Sequence, residues 1–177
     1  MNHPLSFISH SVRKPAFSLL LVWTIIVMAF SQIINSTLKN SAAPGSIVSF
    51  ELARTPSNVQ TMIAAWDSRA QLFAAFGLGF DYLFMPLYSF AISLACLLAA
   101  GRHKGWFTAL GAWLGWGVFL AALFDAMENI GLWNSLLGNF NSSWPEVSFW
   151  CAISKFALIL LGIAYGLIGW ILPKQKA

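Results

Sequence analysis

Hydrophobic residues in this chain fall into four long, nearly unbroken stretches: about Ala16 to Ile34, Leu72 to Ala100, Trp106 to Trp133 and Val147 to Leu172. Each meets or exceeds the ~20 residues an α-helix needs to cross a hydrocarbon core about 30 Å thick, so each predicts a membrane-spanning helix. The second and third are longer than a span requires, which implies tilt, a kink or projection beyond the bilayer. Pro86, inside the second, removes one helical hydrogen bond, frees the carbonyl of Tyr82 and marks the place for a kink. The first stretch also has features of a signal peptide, with Arg13 and Lys14 as its basic flank and Ser41-Ala42-Ala43 as a cleavage site. Its apolar run exceeds the roughly 7–15 residues of a signal-peptide core, and we read it as an uncleaved helix.

Between the first two stretches lies the only sizeable polar segment, residues 35–69. Pro44-Gly45 predicts a turn, and Thr55-Pro56 predicts a helix start, with threonine as N-cap and proline at the first helical position. Val59, Met62, Ile63 and Trp66 then recur at helical spacing, predicting a short amphipathic helix that runs straight into the second span. This loop reads either as a lid, with Glu51, Arg54, Trp66 and Asp67 as its candidate residues, or as a helix floating on headgroups. The expected fold is therefore all-α: a transmembrane four-helix bundle in one integral membrane domain, 1–177, with an extracytoplasmic loop carrying a short amphipathic helix.

Composition agrees with burial in lipid. Of 177 residues 58% are hydrophobic and 9% charged, against roughly 25% charged in soluble domains. This excludes a soluble enzyme, a disulfide scaffold and a nucleic-acid module, despite a formal charge of +4. The basic residues report orientation instead. Arg13, Lys14, Arg102, Lys104, Lys174 and Lys176 flank the spans on one side without an acid, whereas Lys39, Arg54 and Arg69 are balanced by Glu51, Asp67 and Glu146 on the other. By the positive-inside rule both termini are cytoplasmic, and Trp66, Trp133, Trp144 and Trp150 mark the outer interface. Cys96 and Cys151 then lie near opposite faces and cannot approach the ~7 Å between α-carbons that a disulfide allows. Asn35-Ser36-Thr37 and Asn141-Ser142-Ser143 match the glycosylation pattern.

Four ionisable residues fall within the spans: Asp81, Asp125, Glu128 and Lys155. At ~1.5 Å per residue they stand about 30, 28, 33 and 25 Å from the cytoplasmic ends of their helices, all in the outer part. Asp125, Glu128 and Asn129 share one helix face, and Tyr88 lies two turns below Asp81. Gly111 and Gly115 in the third span, with Gly162 and Gly166 in the fourth, predict close backbone contact that would bring Lys155 level with Asp125. Three acids and one base leave a charge of −2 in a low-dielectric site. Such a surplus must be paired, protonated, solvated or occupied by a cation. Asp81, Tyr88, Asp125, Glu128, Asn129 and Lys155 are thus the candidate ligand-binding residues. Asp125 with Lys155 also reads as a plain interhelical lock.

No H-E-x-x-H, C-x-x-C, G-x-S-x-G or P-loop occurs, and His3, His10 and His103 lie away from the acids, so neither a metal nor a cofactor is expected. Phe50-Glu51-Leu52-Ala53, Trp66-Asp67, Asp81-Tyr82-Leu83-Phe84, Asp125-x-x-Glu128-Asn129 and Lys155-Phe156 together resemble a family of small bacterial four-helix membrane proteins. The resemblance spans about Gly45 to Gly169; it implies a four-helix fold in a bacterial cell membrane and no particular activity.

Three functions fit. One is an outer-facing acidic pocket for a proton, a cation or a small amine-bearing ligand. Another is an intramembrane enzyme acting on a lipid or isoprenoid, with Asp81 or Glu128 as general acid or base. The last is a scaffold or assembly subunit whose acids fix helix register. The lipid bilayer is a partner in all three, and self-association into a homo-oligomer stays open.

Overall fold

The apolar stretches become helices that overrun the predicted boundaries at most of their ends. In the computed structural model, which describes residues 2–139 and 143–174, the order is α1 (His10–Ser36), α2 (Ile47–Glu51), α3 (Pro56–Ala64), α4 (Ser68–Ala100), α5 (Trp106–Leu136) and α6 (Trp144–Ile171). Helices α1, α4, α5 and α6 are each long and apolar enough to cross a membrane, and the protein is a multi-pass helical membrane protein. The overruns at the end of α5 and the start of α6 are built from polar residues that suit helix ends. At the end of α5, Asn134 donates to the Ile130 carbonyl at 2.8 Å and Ser135 to the Gly131 carbonyl at 2.9 Å. At the start of α6, Pro145 falls in the first turn, where an amide hydrogen has no helical partner, and Glu146 complements the positive helix end. Asn141, Ser142 and Lys176 lie outside the described residues.

The chain forms two compact units, both drawing on all four long helices. One comprises residues 1–25, 86–123 and 155–177, the other 26–85 and 124–154. Cys96 belongs to the first and Cys151 to the second, and neither forms a disulfide. Helix α4 continues without interruption through Pro86, where it passes from one unit into the other.

In the first unit the glycines do not face one another as expected. Gly111 makes room for the Tyr165 ring, Gly115 for the His3 ring, Gly162 for Ile92 and Val118, and Gly166 for Ala95. The close approach is thus between backbone and side chain. It follows from the size of Tyr165, which fills the space at Gly111, stacks on Phe107 at 4.4 Å and donates to the Phe107 carbonyl at 2.7 Å. The turn between α4 and α5 uses Gly105 at a positive φ of 67°. There Arg102 and His103 close the end of α6 by bonding to the Gly169 carbonyl at 3.1 and 3.0 Å. Thus orphan helix-end carbonyls are satisfied by side chains.

The residues before α1 are packed into this unit. Leu5 is buried against Leu94 and Leu97, and the Trp116 indole donates to the Asn2 carbonyl at 3.1 Å. His3 is buried, and its Nδ1 accepts from the Leu5 amide at 3.1 Å, which leaves the proton of the neutral ring on Nε2. Burial, with the Arg13 charge added, lowers the His3 pKa to about 4, against a smaller opposing effect of the Ser93 backbone.

In the second unit the segment between α1 and α4 is folded, with a core of its own. Phe50, Val59, Ile63 and Trp66 pack with Leu38, Ala43 and Ala53 against Ala70, Ala74 and Leu78 of α4 and Leu132 of α5. Thr55 accepts from the Asn58 amide at 3.3 Å and Pro56 opens α3. Helix α3 stops at Ala64 instead of continuing into α4. Trp66 turns inward and donates to the Leu38 carbonyl at 2.8 Å, while Asp67 starts α4 by accepting from the Ala70 amide at 2.7 Å. Gln71 bridges the break through the carbonyls of Ile63 and Trp66 at 3.2 and 3.0 Å. Val59, Ile63 and Trp66 thus face the protein's own core.

Two consequences are measurable. A methyl group at Gly115 would collide with His3, whereas one at Gly79 meets nothing within 4 Å. Gly115→Ala is expected to destabilise the protein by about 1–3 kcal/mol in reversible unfolding from detergent, with Gly79→Ala neutral or mildly stabilising. Docking of residues 2–9 should also weaken with acid. Between pH 6.5 and about 4 a released His3 binds a proton that the docked ring does not, so stability is full above 6.5 and falls as pH drops. Hydrogen exchange of the Leu5 amide should follow this window, and His3→Gln should remove the dependence.

Candidate functional site

Of the candidate residues, the structure directly joins Asp81 of α4 to Asn129 of α5. The Asn129 Nδ2 donates to Asp81 Oδ2 at 2.9 Å and to the Leu78 carbonyl at 3.3 Å. The Leu78 carbonyl can only accept, so the amide orientation is fixed: Nδ2 is spent on these two partners and Oδ1 remains an acceptor. One turn along α4, the Tyr82 hydroxyl donates to the Ala126 carbonyl at 3.2 Å. The two helices are therefore tied by polar side chains that use each other's backbone, as helices in lipid require.

Asp125 and Glu128 lie on the same stretch of α5 as Asn129, and all three are buried, Glu128 completely. Ser148 of α6 donates to the Glu128 carbonyl at 3.2 Å and packs at Gly131, where its hydroxyl occupies the place a side chain would take. Asp81 is only partly buried. Tyr88 and Lys155 belong to the other unit. Both are buried there, with the Lys155 ammonium 4.9 Å from the ring centre of Phe156.

A cavity of about 370 Å³ adjoins the tie. It is lined by Ala75, Leu78, Gly79 and Tyr82 of α4 and by Asn129, Ile130 and Trp133 of α5. The wall is almost wholly apolar, and the side chains of Asn129, Tyr82 and Trp133 are the ones in it that carry a polar group. Because Gly79 has no side chain and open space before it, this glycine helps to create the volume. Such a space, apolar with a few convergent polar groups, is what small-molecule sites have in common, and its size is in their range of ~300–1,000 Å³.

The four lid candidates separate into different roles. Trp66 is a core residue of the loop, edge-on to Phe50 at 5.2 Å, and Asp67 is the N-cap of α4. Arg54 is exposed, with φ 59° and its guanidinium over the rings of Phe149 and Trp150 at 5.3 and 5.7 Å. Glu51 is buried at the end of α2. The cavity beside Asn129 was not foreseeable: Ala75, Gly79 and Ile130 read only as span residues, although Gly79, four residues before Leu83 in a bulky run, is a modest signal. Among the described residues no three His, Cys, Asp or Glu side chains converge as a metal site needs.

No family model, curated protein or solved structure matches the chain. The likeness to four-helix membrane proteins therefore stands on its quoted residues alone.

Replacing Asn129 tests the tie. Asn129→Leu removes the hydrogen bonds that the amide gives to Asp81 and to the Leu78 carbonyl, and should cost about 1–3 kcal/mol of stability. The double variant with Asp81→Leu should recover part of that loss in the same unfolding assay.

Proposed function

We infer that this protein is a cell-membrane binding protein whose second unit takes a small amine-bearing molecule with an apolar body. One observation carries the reading: the apolar cavity is lined by an asparagine whose Oδ1 remains an acceptor and whose Nδ2 is held by the Asp81 side chain. An ammonium group donates to Oδ1 and is balanced by Asp81, with its hydrocarbon part against Leu78, Ile130 and Trp133. The Asp81 side chain on the far side of that amide favours a cation over an anionic ligand. A bare proton or metal cation would not need the apolar volume. Orientation belongs to the same reading: with the basic flanks inside, both termini are cytoplasmic and the 35–69 segment covers the outer side. The protein then works as one integral membrane domain, with Glu51 and Arg54 in the covering segment.

Equilibrium dialysis with short primary alkylamines, against alcohols of equal chain length, tests the reading. Amines should bind at least about tenfold more tightly than the alcohols. Gly79→Leu, which fills the cavity while leaving the Asp81–Asn129 bond in place, should abolish binding, and Asp81→Asn should weaken it more than about tenfold. Equal binding of amine and alcohol, or unchanged binding in Gly79→Leu, would contradict it.

A further inference from the structure

The charges of this chain are divided between its two units. All six acids lie in the second, and among the described residues the first holds Arg13, Lys14, Arg102, Lys104, Lys155 and Lys174 with no carboxylate side chain of its own. Within the first unit four of these cations line a cleft of about 280 Å³. Its wall consists of His10, Arg13 and Lys14 from α1, Leu97, Leu98, Gly101 and Arg102 at the end of α4, and Trp170 and Lys174 at the end of α6.

The two arginines are fixed before any ligand arrives. Arg102 donates from Nε to the Gly169 carbonyl at 3.1 Å and from Nη2 to the Trp170 carbonyl at 3.4 Å, and lies over the Trp170 ring at 5.1 Å. Arg13 donates from Nε to the Ile8 carbonyl at 2.9 Å and from Nη2 to the Ser6 carbonyl at 3.2 Å. These partners are neutral, so they hold the guanidinium planes without cancelling their charge. Each arginine carries five N–H donors and keeps some for a ligand. Arg13 and Lys14 also occupy the beginning of α1, whose first turn contains no acid, so the positive end of the helix adds to their potential.

We propose that this cleft binds the phosphate group of an anionic phospholipid. Phosphate matches the planar fork of arginine and the point charge of lysine. Leu97 and Leu98 extend the cleft with an apolar wall along which the lipid's glycerol and first methylenes continue, and Trp170 supplies the ring that membrane interfaces favour. Basic pockets between membrane helices are places where such headgroups bind. Free phosphate shares the chemistry of the headgroup but makes no use of the leucines.

The test uses the full-length protein in zwitterionic detergent. Thermal unfolding is followed while phosphatidylglycerol, phosphatidylcholine or inorganic phosphate is added, and native mass spectrometry counts retained lipid. Lys14→Gln/Lys174→Gln removes two cations of the cleft, and Lys39→Gln/Arg69→Gln removes two from the other unit as a control. Phosphatidylglycerol should stabilise the protein and be retained, phosphatidylcholine should not, and the cleft variant should weaken retention more than about tenfold while the control does not. Inorganic phosphate reproducing the whole effect would overturn the lipid as source. Equal retention of both lipids, or equal loss in both variants, would overturn the site.

Discussion

Hydrocarbon offers a polar group neither a hydrogen bond nor a counter-charge, and the organisation of this protein follows from that constraint. The backbone meets it by forming helices. Side chains meet it by turning back to backbone carbonyls: Thr24 to Leu20, Ser31 to Val27, Ser93 to Gly115, Cys96 to Gly162 and Ser148 to Glu128. Helix ends are subject to the same demand, met by Arg102 and His103 at α6, Asp67 at α4 and, at α3, Gln71 through the Ile63 carbonyl. Where two acceptors meet, as Asp81 and the Leu78 carbonyl do, a single asparagine amide serves both.

Charge is unevenly distributed along the chain. The acids belong to one unit and most cations to the other, so each unit has a chemical character that the net figure of +4 conceals. An acidic unit with an apolar cavity suits a cation that carries hydrocarbon. A basic unit with fixed guanidinium groups suits a phosphate. The two readings rest on different residues, and either can fail without the other.

The four spans were legible because twenty or more apolar residues in a row have few alternatives to a membrane helix. The start of α3 was legible for a local reason, a threonine followed by proline. Three features were not. Helix α2 has only five residues, and its preceding Ser46 sits at φ 61° with no capping bond from its side chain, so nothing announces it. The docking of His3 and Leu5 depends on a gap at Gly115, a tertiary match between distant residues that no periodicity encodes. The glycine pairs suggested helix-to-helix backbone contact, but the same small residues serve equally well as sockets for Tyr165 and His3. At the candidate site, the sequence placed Asp81 and Asn129 at similar depth, whereas their hydrogen bond and the cavity beside it depend on how α4 and α5 are rotated, which spacing alone does not determine.

The central claim is that the Asn129 amide is the polar end of a ligand cavity. Solid-state NMR of the protein in lipid, with the asparagine side chains labelled with nitrogen-15 and assigned by an Asn129→Gln variant, reads that amide directly. On adding a short alkylamine the Asn129 signal should shift while the other asparagine side chains stay in place, and Gly79→Leu should leave it unmoved. An Asn129 signal that stays fixed at saturating amine, in protein that remains folded, would contradict the account.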